Sequence, residues 1–119
     1  MKKLYALRGA TCCLNDKQDI SDQTCTLYDE LLARNVLAES DVVSILFSMT
    51  PDLDALNPAA ALRTAGRAED RALFAVQEAV VKGSLERVIR VLIHCYCDEG
   101  SVPVHVYRNG AEVLRPDRT

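Results

Sequence analysis

The run Val88-Ile-Arg-Val-Leu-Ile-His-Cys-Tyr-Cys97 constrains this chain more than any other segment. It is rich in β-branched residues and predicts the longest strand of the fold. Side chains alternate across a strand, so Ile89, Val91, Ile93, Cys95 and Cys97 share one face while Arg90, Leu92, His94 and Tyr96 share the other. The first face is wholly apolar and demands a core. The second carries a guanidinium in the most apolar stretch of the chain, and an unpaired buried charge there is very costly. Arg90 must therefore reach solvent, an ion-pair partner or a ligand, and a snorkelling side chain or a structural ion pair competes with ligand binding as the explanation.

Other elements can be read around this strand. Lys3 to Arg8 alternates and meets Gly9, which predicts a first strand with Leu4, Ala6 and Arg8 on one face. Asp16 to Arg34 has near-helical apolar spacing at Ile20, Leu27, Leu31 and Leu32, with Asn15 or Asp16 as cap and Asn35 as stop. Asp41 to Thr50 predicts a buried strand halted by Pro51. Asn57-Pro58 opens a short helical piece reaching Arg63, and Ala72 to Gln77 predicts a short strand. Asp98 to Pro103 is read as a loop, and Asn109-Gly110 predicts a hairpin joining Val104–Tyr107 to Ala111–Leu114. The tail after Pro116 is expected to be mobile. This order predicts an α+β fold, a single mixed β-sheet with one long helix, as one domain spanning residues 1–119.

Composition excludes several functions. Lys and Arg number 14 against 17 Asp and Glu, a net charge of −3, which argues against nucleic acid as a partner. An anionic ligand would have to meet a local arginine cluster rather than the field of the whole protein. No apolar run is long enough for a membrane span or a signal peptide. Cys12, Cys13, Cys25, Cys95 and Cys97 lack the spacing of zinc or redox sites and are read as reduced thiols of a cytoplasmic protein, with no metal expected. Nucleotide-binding glycine loops and serine-hydrolase motifs are missing, and neither His94 nor His105 stands in a recognisable motif with a Ser or Cys nucleophile. Dispersed polar residues remain, notably Arg8 beside Gly9, Glu78 after the strand ending at Gln77, and Arg90.

Arg8-Gly9-Ala10-Thr11, Thr50-Pro51-Asp52-Leu53, Gln77-Glu78, Ile89-Arg90-Val91, His105-Val106-Tyr107 and Leu114-Arg115-Pro116-Asp117 stand in one order along the chain. In that order and spacing the sequence resembles the monofunctional chorismate mutases over essentially its whole length. The resemblance implies a homotrimer in which three sheets pack into a pseudo-α/β-barrel, with active sites in clefts between subunits. It also implies an isomerase of aromatic amino acid biosynthesis that turns chorismate into prephenate without a cofactor. Arg90 would contact the ether oxygen and the side-chain carboxylate, Arg8 and Tyr107 the same carboxylate, and Glu78 the ring hydroxyl. Arg63 would come from the adjacent subunit, Phe74, Ala75, Val76, Gln77 and Glu78 would line the pocket, and Arg115 would lie near the ring carboxylate. Ala75 stands where some relatives carry a cysteine, and Asn57 where an aromatic residue can close the pocket. The alternative is a non-catalytic trimeric binding module for a small anionic metabolite. The set Arg8, Glu78, Arg90 and Tyr107 separates the two, since a binding module need not keep a cation where ether charge develops.

Overall fold

The computed structural model describes residues 1–114. Among them the strands are β1 (Lys2–Cys12), β2 (Val42–Met49), β3 (Ala72–Gln77), β4 (Val88–Asp98) and β5 (Val106–Arg108), with helices α1 (Lys17–Arg34) and α2 (Pro58–Thr64). They form one five-stranded mixed sheet in the order β3-β2-β4-β1-β5. β4 runs antiparallel to both of its neighbours, β1 and β2. β3 is parallel to β2, and β5 is parallel to β1. β1 and β2 thus point the same way with β4 between them, and α1 makes the crossover that two parallel strands require.

The helices begin and end where side chains can satisfy their free backbone groups. Asp16 caps α1 by accepting a hydrogen bond from the Asp19 N–H at 3.0 Å. Asn15, the other candidate cap, accepts instead from the N–H groups of Asp54 and Ala55. Asn35 closes the helix: its side-chain amide donates to the carbonyls of Leu31 and Val104 and accepts from the Val104 N–H. Asn57 caps α2 by accepting from Ala59 and Ala60, with Pro58 in the first turn.

Both helices pack on one face of the sheet. There Ile20, Leu27 and Leu31 of α1 and Leu62 of α2 meet Leu7, Ile45, Phe47, Ile89, Val91, Ile93 and Cys95, all buried. The opposite face carries Leu4, Leu46, Phe74 and Tyr96 in exposed positions. At one end of the sheet Thr50 Oγ1 accepts from the Val88 N–H at 3.0 Å, and the Asp52 carboxylate accepts from the Arg87 N–H. The segment Thr50-Pro51-Asp52 therefore locks the exit of β2 to the entry of β4.

Two expectations are corrected. β1 does not stop at Gly9 but runs on to Cys12. Gly9 is there for space: a Cβ would lie 2.9 Å from Leu31 Cδ1, 3.1 Å from Leu27 Cδ1 and 3.0 Å from the Val106 carbonyl. The proposed hairpin after Tyr107 is also absent, since Ala111–Leu114 forms a 3-10 turn. Asn109 and Gly110 do take positive φ. However, the Asn109 amide donates to Thr11 Oγ1 and Gln23 Oε1, and Ala111 is buried beside Ala10 and Val88. The turn folds the chain over the sheet rather than returning it as a strand.

Gly9→Ala should destabilise the protein by about 1–3 kcal/mol, the usual cost of forcing an extra carbon into a close-packed site. Thermal or denaturant unfolding measures it, and an unchanged midpoint would contradict the close approach of α1 and β5 to β1.

Candidate active site

The sheet register assembles the site. Ser48 of β2 lies opposite Arg90 of β4, Arg90 lies opposite Ala10 of β1, and Ala10 lies opposite Tyr107 of β5. Val76 of β3 extends this row beyond Ser48. Directly opposed residues share a face, and this row lies on the face without helices. The neighbouring row on that face runs Phe74, Leu46, Leu92, Arg8. Together they shape a cleft of about 330 Å³ in which Arg8, Arg90, Tyr107, Ser48 and Val76 surround an aliphatic floor closed by Leu114. Ala10 is the small residue between Arg90 and Tyr107, buried in a cluster with Ala111 against which Tyr107 and Leu114 pack.

Glu78 stands immediately after β3. Its N–H donates to the Met49 carbonyl at 2.8 Å and extends the pairing with β2 by one residue. Its carboxylate meets the row: Ser48 Oγ donates to Oε2 at 2.6 Å, and Arg90 Nε lies 3.1 Å from the same oxygen. The Nε–H does not point at that oxygen well enough for a hydrogen bond, so the Arg90–Glu78 contact is Coulombic. The arginine side chain is 43% exposed and the glutamate 19%. So open a pair adds little to stability. Its consequence is positional: it holds a cation at the cleft.

Arg8 is tied to the segment that leads into β5. Its backbone N–H donates to His105 Nδ1 at 3.0 Å, which puts the proton of a neutral His105 ring on Nε2. His94 shares the helix-free face but sits outside the cleft, with Nδ1 3.0 Å from Ser44 Oγ.

The fold thus brings together Arg8, Val76, Glu78, Arg90 and Tyr107. Phe74 is on the same face, one row away and 62% exposed. Ala75 points to the core and Gln77 pairs with Met49, so both alternate away from the cleft. Arg63 is exposed in the last turn of α2, within the helical layer. Arg115 lies outside the described residues, as does the tail after Pro116. Sequence reasoning missed Ser48, Leu46, Leu92 and Ala10 as members of the site. Their alternation within strands was visible, but the cross-strand register that aligns them was not.

The cysteines are free. Burial pushes the Cys13 thiol up to about 11. Burial, helped by the hydrogen bond with Cys97, pushes Cys95 to about 12. Among the described residues no three His, Cys, Asp or Glu side chains converge to hold a metal ion. Among them, too, no helix is long and apolar enough to cross a membrane.

Comparison with known proteins places this arrangement. The family model for chorismate mutase type I matches residues 4–118. Chorismate mutase AroH of Bacillus subtilis (strain 168) is 35% identical over 116 residues, covering 96% of this chain and 91% of that protein. Chorismate mutase AroH of Thermus thermophilus is 34% identical over 114 residues, covering 93% of each. The solved structure of a chorismate mutase from Clostridium thermocellum superposes with a TM-score of 0.87 at 43% identity, covering 92% of this chain and 99% of that one. Fold and cleft define an α+β protein with its candidate site on the uncovered face of a mixed sheet. Within that class the chain belongs to the type I chorismate mutases.

The raised thiols predict slow chemistry. In the folded protein at pH 8, Cys13 and Cys95 should react with an aromatic disulfide reagent at least about ten-fold more slowly than a free thiol, because almost none is thiolate. Denaturant should release both. Rapid labelling of Cys95 in the native protein would contradict its burial.

Proposed function

We propose that the protein is an isomerase that converts chorismate to prephenate, with Arg90 as the catalytic cation, in a homotrimer whose subunits complete one another's sites. The observation that carries this reading is the Arg90 guanidinium opening onto the cleft beside Arg8 and Tyr107, in a chain of this family.

The rearrangement breaks one C–O bond and forms one C–C bond as electron pairs move around a six-membered ring. No proton is transferred and no nucleophile attacks. Two tasks remain for the protein: to hold a flexible dianion in a compact chair-like conformation, and to stabilise the negative charge that grows on the ether oxygen. Arg8 and Tyr107 bind the side-chain carboxylate, which fixes one end of the substrate. Glu78 accepts from the ring hydroxyl and fixes the other. Arg90 spans the carboxylate and the ether oxygen. Its contact with that oxygen strengthens as charge develops, and an interaction of that kind raises turnover rather than merely tightening binding. Val76, Leu46 and Leu92 supply an apolar surround in which the cation acts in a lower dielectric than water. With a net charge of −3, the protein relies on this local cluster to attract a dianion.

Two features support the trimer. The helix-free face exposes Leu4 at 52% and Tyr96 at 45%, apolar area of the kind that packing against another sheet would remove from water. Arg63 belongs to the helical layer, on the far side of the sheet from its own chain's cleft, so it serves the site of a neighbour. Phe74 lines the pocket, and the role assigned to Arg115 is recognition of the ring carboxylate. We further propose that the protein works in the cytoplasm.

Arg90→Ala should lower kcat by more than about a thousand-fold, since removing one preorganised transition-state donor already costs about a hundred- to a thousand-fold. Arg90→Lys should recover only part, because an ammonium cannot bridge two oxygens as a planar fork does. Chorismate consumption gives kcat and KM, and sedimentation of each variant checks the trimer. A rise in KM alone in Arg90→Ala would make Arg90 a carboxylate anchor, and a fully active monomer would overturn the shared site.

A further inference from the structure

We propose that Ser48 is a positioning residue of this site: its hydroxyl holds one oxygen of Glu78 so that the other faces the substrate's ring hydroxyl. The inference rests on the function proposed above and adds to it a residue that acts through Glu78.

Without Ser48 the Glu78 carboxylate would be oriented by Arg90 instead. Glu78 is the first residue beyond β3, and its side chain is not confined by a strand on its outer side. Arg90 is a cation within reach, its Nε 3.1 Å from Oε2. A carboxylate and a guanidinium left to themselves favour a bidentate fork with two parallel N–H···O bonds. That fork would occupy both carboxylate oxygens and turn the guanidinium away from the cleft. The observed geometry is different. Oε2 takes a short bond of 2.6 Å from Ser48, and the Arg90 Nε–H is not aligned for a hydrogen bond to it. Ser48 has therefore outcompeted Arg90 for the orientation of the carboxylate.

The sheet makes this possible. Ser48 is the β2 residue directly opposite Arg90, and β2 lies between β4 and β3. Its hydroxyl thus sits between the guanidinium on one side and the end of β3 on the other. A serine that merely satisfied its own hydroxyl could do so with water on this half-open face. Ser48 donates its proton instead to Glu78, a carboxylate that borders the cleft cation. The result leaves Oε1 to accept from the ring hydroxyl and leaves the Arg90 fork to face the ether oxygen.

The test compares two isosteric variants, Ser48→Thr and Ser48→Val, which differ in the hydroxyl and share the β-branched shape that strands tolerate. Chorismate turnover is measured for these, for Ser48→Ala, for Glu78→Ala and for the double variant Ser48→Ala/Glu78→Ala. Thermal unfolding and sedimentation are recorded for each. Ser48→Val and Ser48→Ala should lose about ten-fold in kcat/KM, the scale of one hydrogen bond to a charged group, while Ser48→Thr keeps most of the activity. In the Glu78→Ala background the Ser48→Ala change should cost less than about two-fold, because the group it acts through is gone. A purely structural role would impose the same loss in both backgrounds, and that result overturns the inference. Equal activity of Ser48→Val and Ser48→Thr overturns it as well. Wild-type protein without any turnover of chorismate would instead remove the proposed function and this inference with it.

Discussion

A guanidinium can stand in the central strand of an apolar sheet only if one face of that sheet is kept free of helices. β4 meets this condition by strict alternation. Its Ile89, Val91, Ile93 and Cys95 face α1 and α2 and are buried, while Arg90, Leu92, His94 and Tyr96 face away. Both helices lie on the first side, so the second remains uncovered by helices. Arg90 then needs neither a fully buried partner nor a desolvated charge pair, which would cost more than it returns. Ser48, Ala10 and Tyr107 are placed relative to that residue by the pairing of β2 and β1 with β4 and of β5 with β1.

Much of this was legible in the sequence because it is local. The alternation in Val88 to Cys97 assigned the two faces of β4, and the cap residues Asn57-Pro58 and Asn35 marked helix ends. What was not legible is non-local. Gly9 looked like the end of a strand, yet it is a mid-strand glycine required by the approach of Leu27, Leu31 and Val106. Asn109-Gly110 has the turn conformation its sequence suggests, but Ala111 finds a buried place beside Ala10 and Val88, so no returning strand forms. For the site, the motifs located Arg8, Glu78, Arg90 and Tyr107 without any distance between them. Ser48 carries no signal of its own, since its place beside Arg90 emerges only once β2 is set against β4 in one particular register.

The chemistry asked of this arrangement is electrostatic. A sheet is a suitable platform for it, because its backbone hydrogen bonds fix side-chain origins more firmly than a loop does, and preorganised charge costs no rearrangement when the reaction occurs. The Glu78 carboxylate, held by Ser48, does not form a fork with Arg90, and the cation remains directed at the cleft. The same geometry accounts for the lack of acid–base or nucleophilic motifs in the chain. A concerted rearrangement needs orientation and a cation, and the proposed site supplies both from dispersed residues in adjacent strands.

The central claim is that the site works by position and charge with no proton in flight. It is tested most directly by comparing kcat for chorismate in light and heavy water at matched positions on the pH profile. A proton moving in the limiting step would give a solvent isotope effect of about 2 or more. The account predicts a ratio close to unity for the wild-type enzyme. A reproducible effect of about 2 or above, abolished in Glu78→Gln, would show that Glu78 transfers a proton and would contradict the account.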